Sequence, residues 1–209
     1  MAQAWGGVQA THLSESLEEL DLLDHRSGPF VEFLRRLGVW HPEQLIARVE
    51  RVWDEYADAR APMVLAHANY LPVETPIPPR ATIVYCPRTH AAFGHAPHPW
   101  RDFLARGVRV ALGTDGLASN PDLDLLAEAR FLRRRFPDVA GSTLLRMATL
   151  SGAEALGWDH ETGSLEAGKS ADLVVIPTGG RGAGDPHELF LASDEAVAKV
   201  MCRGRWLVG

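Results

Sequence analysis

Four short apolar, β-branched runs, each closing on a residue that can do chemistry, constrain this chain more than any other feature. They are VQATHLS (8–14), MVLAHAN (63–69), TIVYCP (82–87) and RVALGTD (109–115). Such continuous apolar character suits strands buried on both faces, as in a parallel sheet covered by helices. Helix-patterned stretches lie between and after them: Leu17–Leu23, Phe30–Leu37, Pro42–Tyr56, Pro99–Arg106, Pro121–Phe136 and Thr143–Leu156. The alternation predicts an α/β architecture. The runs end on His12, on His67, on Cys86-Pro87 and on Thr114-Asp115. Polar groups at the C-terminal ends of parallel strands mark the active face of barrel and open-sheet enzymes.

The balance of charge narrows the partners. Lys plus Arg is 21 and Asp plus Glu is 27, a formal net charge of −6. That speaks against nucleic acid or an anionic membrane as a partner, since both require a basic face. The one basic cluster, RFLRRRF at 130–136, reads as the wet face of an amphipathic helix. Cys86 and Cys202 lie far apart and suggest no disulfide framework. Beside Pro87 at a strand end, Cys86 reads as packing rather than a reactive thiolate. The start lacks the basic and apolar regions of a signal peptide, and no apolar run reaches membrane-spanning length, so a cytoplasmic location is expected.

From about residue 160 the style changes. TGSLEAGKSADLVVIP is a Gly-rich turn leading into a strand, TGGRGAGDP (178–186) a linker, and AVAKVMCRGRWLVG a strand, an Arg-Gly turn and a last strand. The expected division is residues 1–159 and then a small β subdomain over 160–209. Within that tail GSLEAGKS (163–170) fits the phosphate-loop pattern letter for letter. A working phosphate loop follows a strand and opens a helix. Here the order is helix, turn, strand, and Glu166 would face the anion. The stretch is read as a turn with Lys169 in solvent, and no nucleotide site is expected.

The chemistry concentrates elsewhere. THLSE places His12 and Glu15 three apart where a strand gives way to a loop: a possible metal ligand and a proton carrier. Ser16 with Glu19 has the form of a helix capping box, which makes Glu19 structural. His67 alone could equally be a hydrogen-bonded core histidine. Asn120-Pro121 reads as a helix cap and first helical residue. Asp115 has no such structural reason. His and Glu, then His, then Asp on successive strand ends form a more specific pattern than any one of them.

THLSES, VLAHANYL, YCPRTH, VALGTDGLASNPDLDLL, MATLSGAEALG and GSLEAGKSADLVVI occur in this order. Together they resemble the C-terminal half of a metal-dependent amidohydrolase of the cytosine deaminase and chlorohydrolase group. That group includes methylthioadenosine/S-adenosylhomocysteine, aminofutalosine and guanine deaminases. The resemblance implies a (β/α)8 TIM barrel, with these strands as the fifth to eighth, and a small β-sandwich part at the chain end. It implies one divalent metal, Zn or Fe, held by His12 and Asp115. It further implies that Glu15 shuttles protons to the ring nitrogen and leaving ammonia. His67 would hold and polarise the metal-bound water, and Asp115 would take that water's proton. The implied reaction is hydrolysis of a non-peptide C–N bond in an aminopurine-like or other N-heterocyclic small molecule, with halide displacement as the neighbouring variant.

The sequence departs from the family in two places. The family's first strand carries a His-x-His pair, and no His-x-His occurs in this chain; HAPH (95–98) has the wrong spacing. Two ligands are too few for a firm catalytic site, and four strands cannot close an eight-stranded barrel. The chain is therefore expected to be a truncated piece, inactive alone, that needs the missing half or a homo-oligomeric or other partner chain; a non-catalytic half-barrel is the alternative. Second, CPRTHAAFGH stands where many relatives have Pro-x-Ser-Asn. Arg88, His90 and His95, with Ser119, either shape the substrate pocket or serve locally, with Arg88 paired to a carboxylate and the histidines solvated.

Overall fold

The computed structural model describes residues 7–46, 48–49, 51–52, 61–178 and 184–208. The chain divides into two compact units, residues 1–85 with 93–110, and residues 86–92 with 111–209.

The first unit is built on parallel strands β1 (Gln9–Leu13), β2 (Met63–His67) and β3 (Ala81–Tyr85). β4 (Arg109–Leu112) completes a four-stranded sheet in the order β1-β2-β3-β4. Leu65, Ile83 and Val110 are fully buried, as continuous apolar runs require. Each strand is one to three residues shorter than its apolar run. α1 (Leu17–His25) begins at Ser16, whose Oγ accepts the Glu19 N–H, and stops where Arg26 turns left-handed at φ 53°. α2 (Pro29–Arg36) and α4 (Trp100–Ala105) match the helical pattern. The helix expected over Pro42–Tyr56 does not form at its start, where Pro42–Gln44 make a single 3₁₀ turn; residues 47, 50 and 53–60 lie outside the described residues. Two helices were not anticipated: α3 (Pro87–Phe93), whose residues 87–92 belong to the second unit, and Pro186–Ala192 within the tail expected to be all β. Pro87 reads as a strand terminator, but a proline lacks only an N–H that a first helical turn leaves unbonded anyway.

The second unit holds α5 (Leu125–Arg135), α6 (Gly141–Ala148), α7 (Leu150–Leu156) and α8 (Pro186–Ala192) with an antiparallel sheet of β5 (Leu173–Val175), β6 (Lys199–Cys202) and β7 (Arg205–Val208). α5 starts four residues later than Asn120-Pro121 suggests, because Asp124 is the cap and accepts the Leu126 and Ala127 N–H groups. The single helix expected over 143–156 is two, broken at Thr149 (φ −133°, ψ −90°). The basic cluster is not all solvated: Arg130 is buried and donates to the carbonyls of Phe190 and Glu195 and to Ser193 Oγ. GSLEAGKS lies between α7 and β5, the order that excludes a phosphate cradle. Lys169 is not in solvent as expected. Its side chain is 13% exposed, with Nζ 2.5 Å from Ser164 Oγ. Among the described residues no helix is long and apolar enough to cross a membrane.

Candidate active site

In the first unit the chemistry gathers where β1 and β2 end. His12 and Leu13 pair in register with Ala66 and His67. Regular pleating would therefore send the His12 and His67 side chains to opposite faces. They are instead neighbours, with ring centroids 5.1 Å apart and planes tilted 34°. The cause is in the backbone. His67 (φ 68°) and Ala68 (φ 54°) are left-handed, as is Ser14 (φ 52°) after β1, and a positive φ swings the Cβ of His67 out of the alternation. Non-glycine residues in that region cost on the order of 1–3 kcal/mol each. Cross-links between the two strand ends offset the cost. The Ala68 N–H donates to the Leu13 carbonyl (2.8 Å), the Tyr70 N–H to the Ser14 carbonyl (3.0 Å) and Asn69 Nδ2 to the Glu15 carbonyl (2.9 Å).

Glu15 completes this cluster. Its Oε1 lies 3.6 Å from Nε2 of His67, which is 2% exposed, while Glu15 is one-third exposed. One half-open carboxylate beside a buried imidazole can exchange protons with a bound molecule and with solvent. Glu19, from the first turn of α1, clamps the loop beneath it by accepting the Ser14 N–H (2.7 Å) and the Glu15 N–H (2.8 Å). Glu19 is thus structural, as the capping pattern predicts, although its carboxylate grips Ser14 and Glu15. Burial pushes the Glu19 carboxyl above its ordinary value of 4.5, against the pull of these two N–H groups.

His95 accepts or shares a proton with the Tyr70 hydroxyl (3.1 Å) and meets that ring edge-on, with the exposed Phe93 ring 5.8 Å away. His98, set aside on spacing, contacts the cluster: its Nε2 lies 2.7 Å from the His67 carbonyl oxygen. No periodicity or ligand spacing signals such a bond.

In the second unit β4 ends at Leu112, and Asp115 follows with a left-handed φ of 60° and an exposed side chain. Ser119 Oγ donates to Asp115 Oδ2 (2.8 Å) and lies 3.1 Å from Thr89 Oγ1, which donates to the Thr114 carbonyl. Ser119 therefore orients one oxygen of Asp115 and leaves the other for a ligand or proton. His90 is buried at 8% exposure, so it is not a solvated loop residue.

Arg88 takes the second of its two readings and pairs with carboxylates. Nε donates to Glu128 Oε1 (2.6 Å) and its own N–H to Glu128 Oε2 (2.9 Å). The outer nitrogens reach both Asp122 oxygens and Asn120 Oδ1. Asn120 Nδ2 also donates to Glu128 Oε1 (2.6 Å), and Glu128 is fully buried. Four polar residues thus hold the loop that follows Asp115. Asp122 pulls the guanidinium's pKa up further, and Arg88 holds the Asp122 carboxyl down at about 2.

Residues 3–207 match the model of the amidohydrolase family. A 5-methylthioadenosine/S-adenosylhomocysteine deaminase of Pyrococcus furiosus is 33% identical over 211 residues, covering 97% of this chain and 45% of that protein. The solved atrazine chlorohydrolase of Arthrobacter aurescens TC1, complexed with zinc, is 27% identical with a TM-score of 0.70, covering 100% of this chain and 45% of that one. Helicobacter pylori aminofutalosine deaminase shares the fold with a TM-score of 0.74 at 24% identity, covering 96% of this chain and 52% of that one. The chain spans about half or less of the length of these relatives.

Proposed function

Because the chain belongs to the amidohydrolase family, we propose that it supplies the catalytic strand ends of a metal-dependent deaminase acting on an aminopurine-like or other N-heterocyclic small molecule. The observation that carries this reading is the first-unit cluster: two imidazoles 5.1 Å apart with a one-third-exposed carboxylate 3.6 Å from one of them. On this reading β1 to β4 are barrel strands five to eight, residues 1–159 are the barrel part and residues 160–209 the accessory β part.

His12 and His67 of the first unit, with Asp115 as the family resemblance implies, would hold the ion. The donors fit zinc or ferrous iron, which take imidazole nitrogen and carboxylate oxygen readily. Such an ion would supply a nucleophile at neutral pH by lowering the pKa of bound water to about 7. The residues do the rest. Asp115, with one oxygen engaged by Ser119, takes the proton from the attacking water. His67 steers that water, and Glu15, within reach of His67, delivers protons to the ring nitrogen and to the leaving ammonia. Arg88, Ser119 and His90 serve this chemistry by holding the pocket loops, and His95 with Tyr70 faces the substrate. The small-molecule relatives and the net charge of −6 agree with a substrate that is neither nucleic acid nor lipid.

The test co-expresses the 209-residue chain with a chain carrying the family's His-x-His strand, then measures ammonia release from methylthioadenosine and bound metal. His12→Ala and Asp115→Ala lower metal content. Glu15→Gln keeps metal but loses roughly 10²–10⁴-fold in rate. Wild-type turnover by Glu15→Gln would sink the assignment. The similarity to a chlorohydrolase over the whole chain supports halide displacement as a second reading, told apart by release of chloride rather than ammonia.

A further inference from the structure

In the stretch GHAPHP (94–99) the last histidine, His98, has no place in the chemistry above, yet its side chain is buried. The His98 ring stacks on Tyr85 (centroids 4.1 Å, 28°) and meets Phe103 edge-on at 6.5 Å. Pro97 and Pro99 flank it, and a following proline holds the preceding residue in extended backbone. His98 is 9% exposed, and its Nε2 lies 2.7 Å from the His67 carbonyl oxygen.

A carbonyl can only accept, so Nε2 must carry the proton, and the bond fixes the tautomer of His98. A nitrogen that keeps its proton to donate cannot bind a metal through the same lone pair. His98 therefore acts through its neighbour. The carbonyl it grips belongs to the peptide between His67 (φ 68°) and Ala68 (φ 54°), the left-handed pair that brings the His67 ring to within 5.1 Å of the His12 ring. The other face of the same turn is pinned by the Ala68 N–H on the Leu13 carbonyl at 2.8 Å. One peptide is held from both ends, by β1 and by the loop before α4.

We infer that His98 is a positioning residue: its Nε2–H holds the His67 carbonyl and so aims the His67 imidazole at the ion. This rests on the reading of His12, His67 and Asp115 as ligands. Outer partners of metal ligands typically contribute about 10–100-fold in metal affinity.

The experiment measures Zn²⁺ affinity of the 209-residue chain by competition with a chromophoric chelator. His98→Phe keeps the stacked ring and removes the donor, whereas His98→Gln places an N–H near the same point. The expected result is a roughly 10–100-fold loss of affinity in His98→Phe with recovery in His98→Gln, at similar melting temperatures. Equal affinity of His98→Phe and wild type overturns the inference, as does an equal loss in both variants. Long-range ¹H–¹⁵N spectra of the wild type check the same claim without a variant: a proton on Nε2 supports it, and an Nδ1–H tautomer overturns it. If the wild type shows no zinc affinity that His12→Ala and His67→Ala abolish, the ligand assignment itself fails. Wild-type binding left untouched by His98→Phe removes the role of His98 alone.

Discussion

A carboxylate gripped by two nitrogens of one guanidinium is slow to take up a proton. Asp122 is such a group, held at about 2 by Arg88 and by the Asp124 N–H. Its folded pKa lies below the ordinary 3.8. The stability it contributes is therefore full above about pH 4 and lost as pH falls through about 2. A ¹³C-detected titration should place Asp122 near 2, and Arg88→Lys, which lacks the fork, should move it upward; an unmoved midpoint refutes the pairing. Glu19 has the opposite sign. Burial raises it above 4.5, so its contribution is full below the unfolded value and declines as pH rises through the folded one. Its midpoint in the same spectra should exceed 4.5. Gly163 makes a steric prediction: at φ 88°, an added Cβ would lie 2.6 Å from the Ala153 Cβ. Gly163→Ala should destabilise by about 1–3 kcal/mol in urea melts.

Elements were legible where their signals are local. The strand runs and the Ser16 cap are read within a few residues, and each is found. Asn120-Pro121 fails as a helix start because Asn120 bonds partners at positions 88 and 128, and no window around it shows them. The RFLRRRF cluster misleads for a similar reason: Arg130 is drawn inward by carbonyls at the end of α8, sixty residues away or more. Arg130→Met should therefore cost about 1.5–3 kcal/mol, since buried acceptors lose a charged donor. Arg134, exposed and 3.7 Å from Asp194, should cost about 0–1 kcal/mol when truncated. Equal effects at the two positions would contradict the burial of Arg130.

At the scale of the molecule, the order of strand-end residues identified the family before any coordinate did. Their orientation was not readable. Alternation alone separates His12 from His67, and only the left-handed turn after β2 reunites them. The supporting roles of His98 and Glu128 escaped because support is a matter of reach, which leaves no spacing in the sequence. The metal reading carries a global consequence. A ligand that binds only the folded chain raises stability by about 2.7 kcal/mol at a hundred times its Kd. Zinc should raise the melting temperature of the wild-type chain, chelator should reverse the rise, and His12→Ala should show neither effect.

The Arg88–Glu128 pair also sets how this protein can change over generations. Glu128 without its guanidinium would be an ion stranded in the interior, and the cost of breaking such a pair is about 3–5 kcal/mol. Neither residue can drift first. A lineage that alters the CPRTH segment must keep its arginine or replace both partners together, and the buried Thr89 beside it, bonded to the Thr114 carbonyl and to Ser119, narrows the choice further.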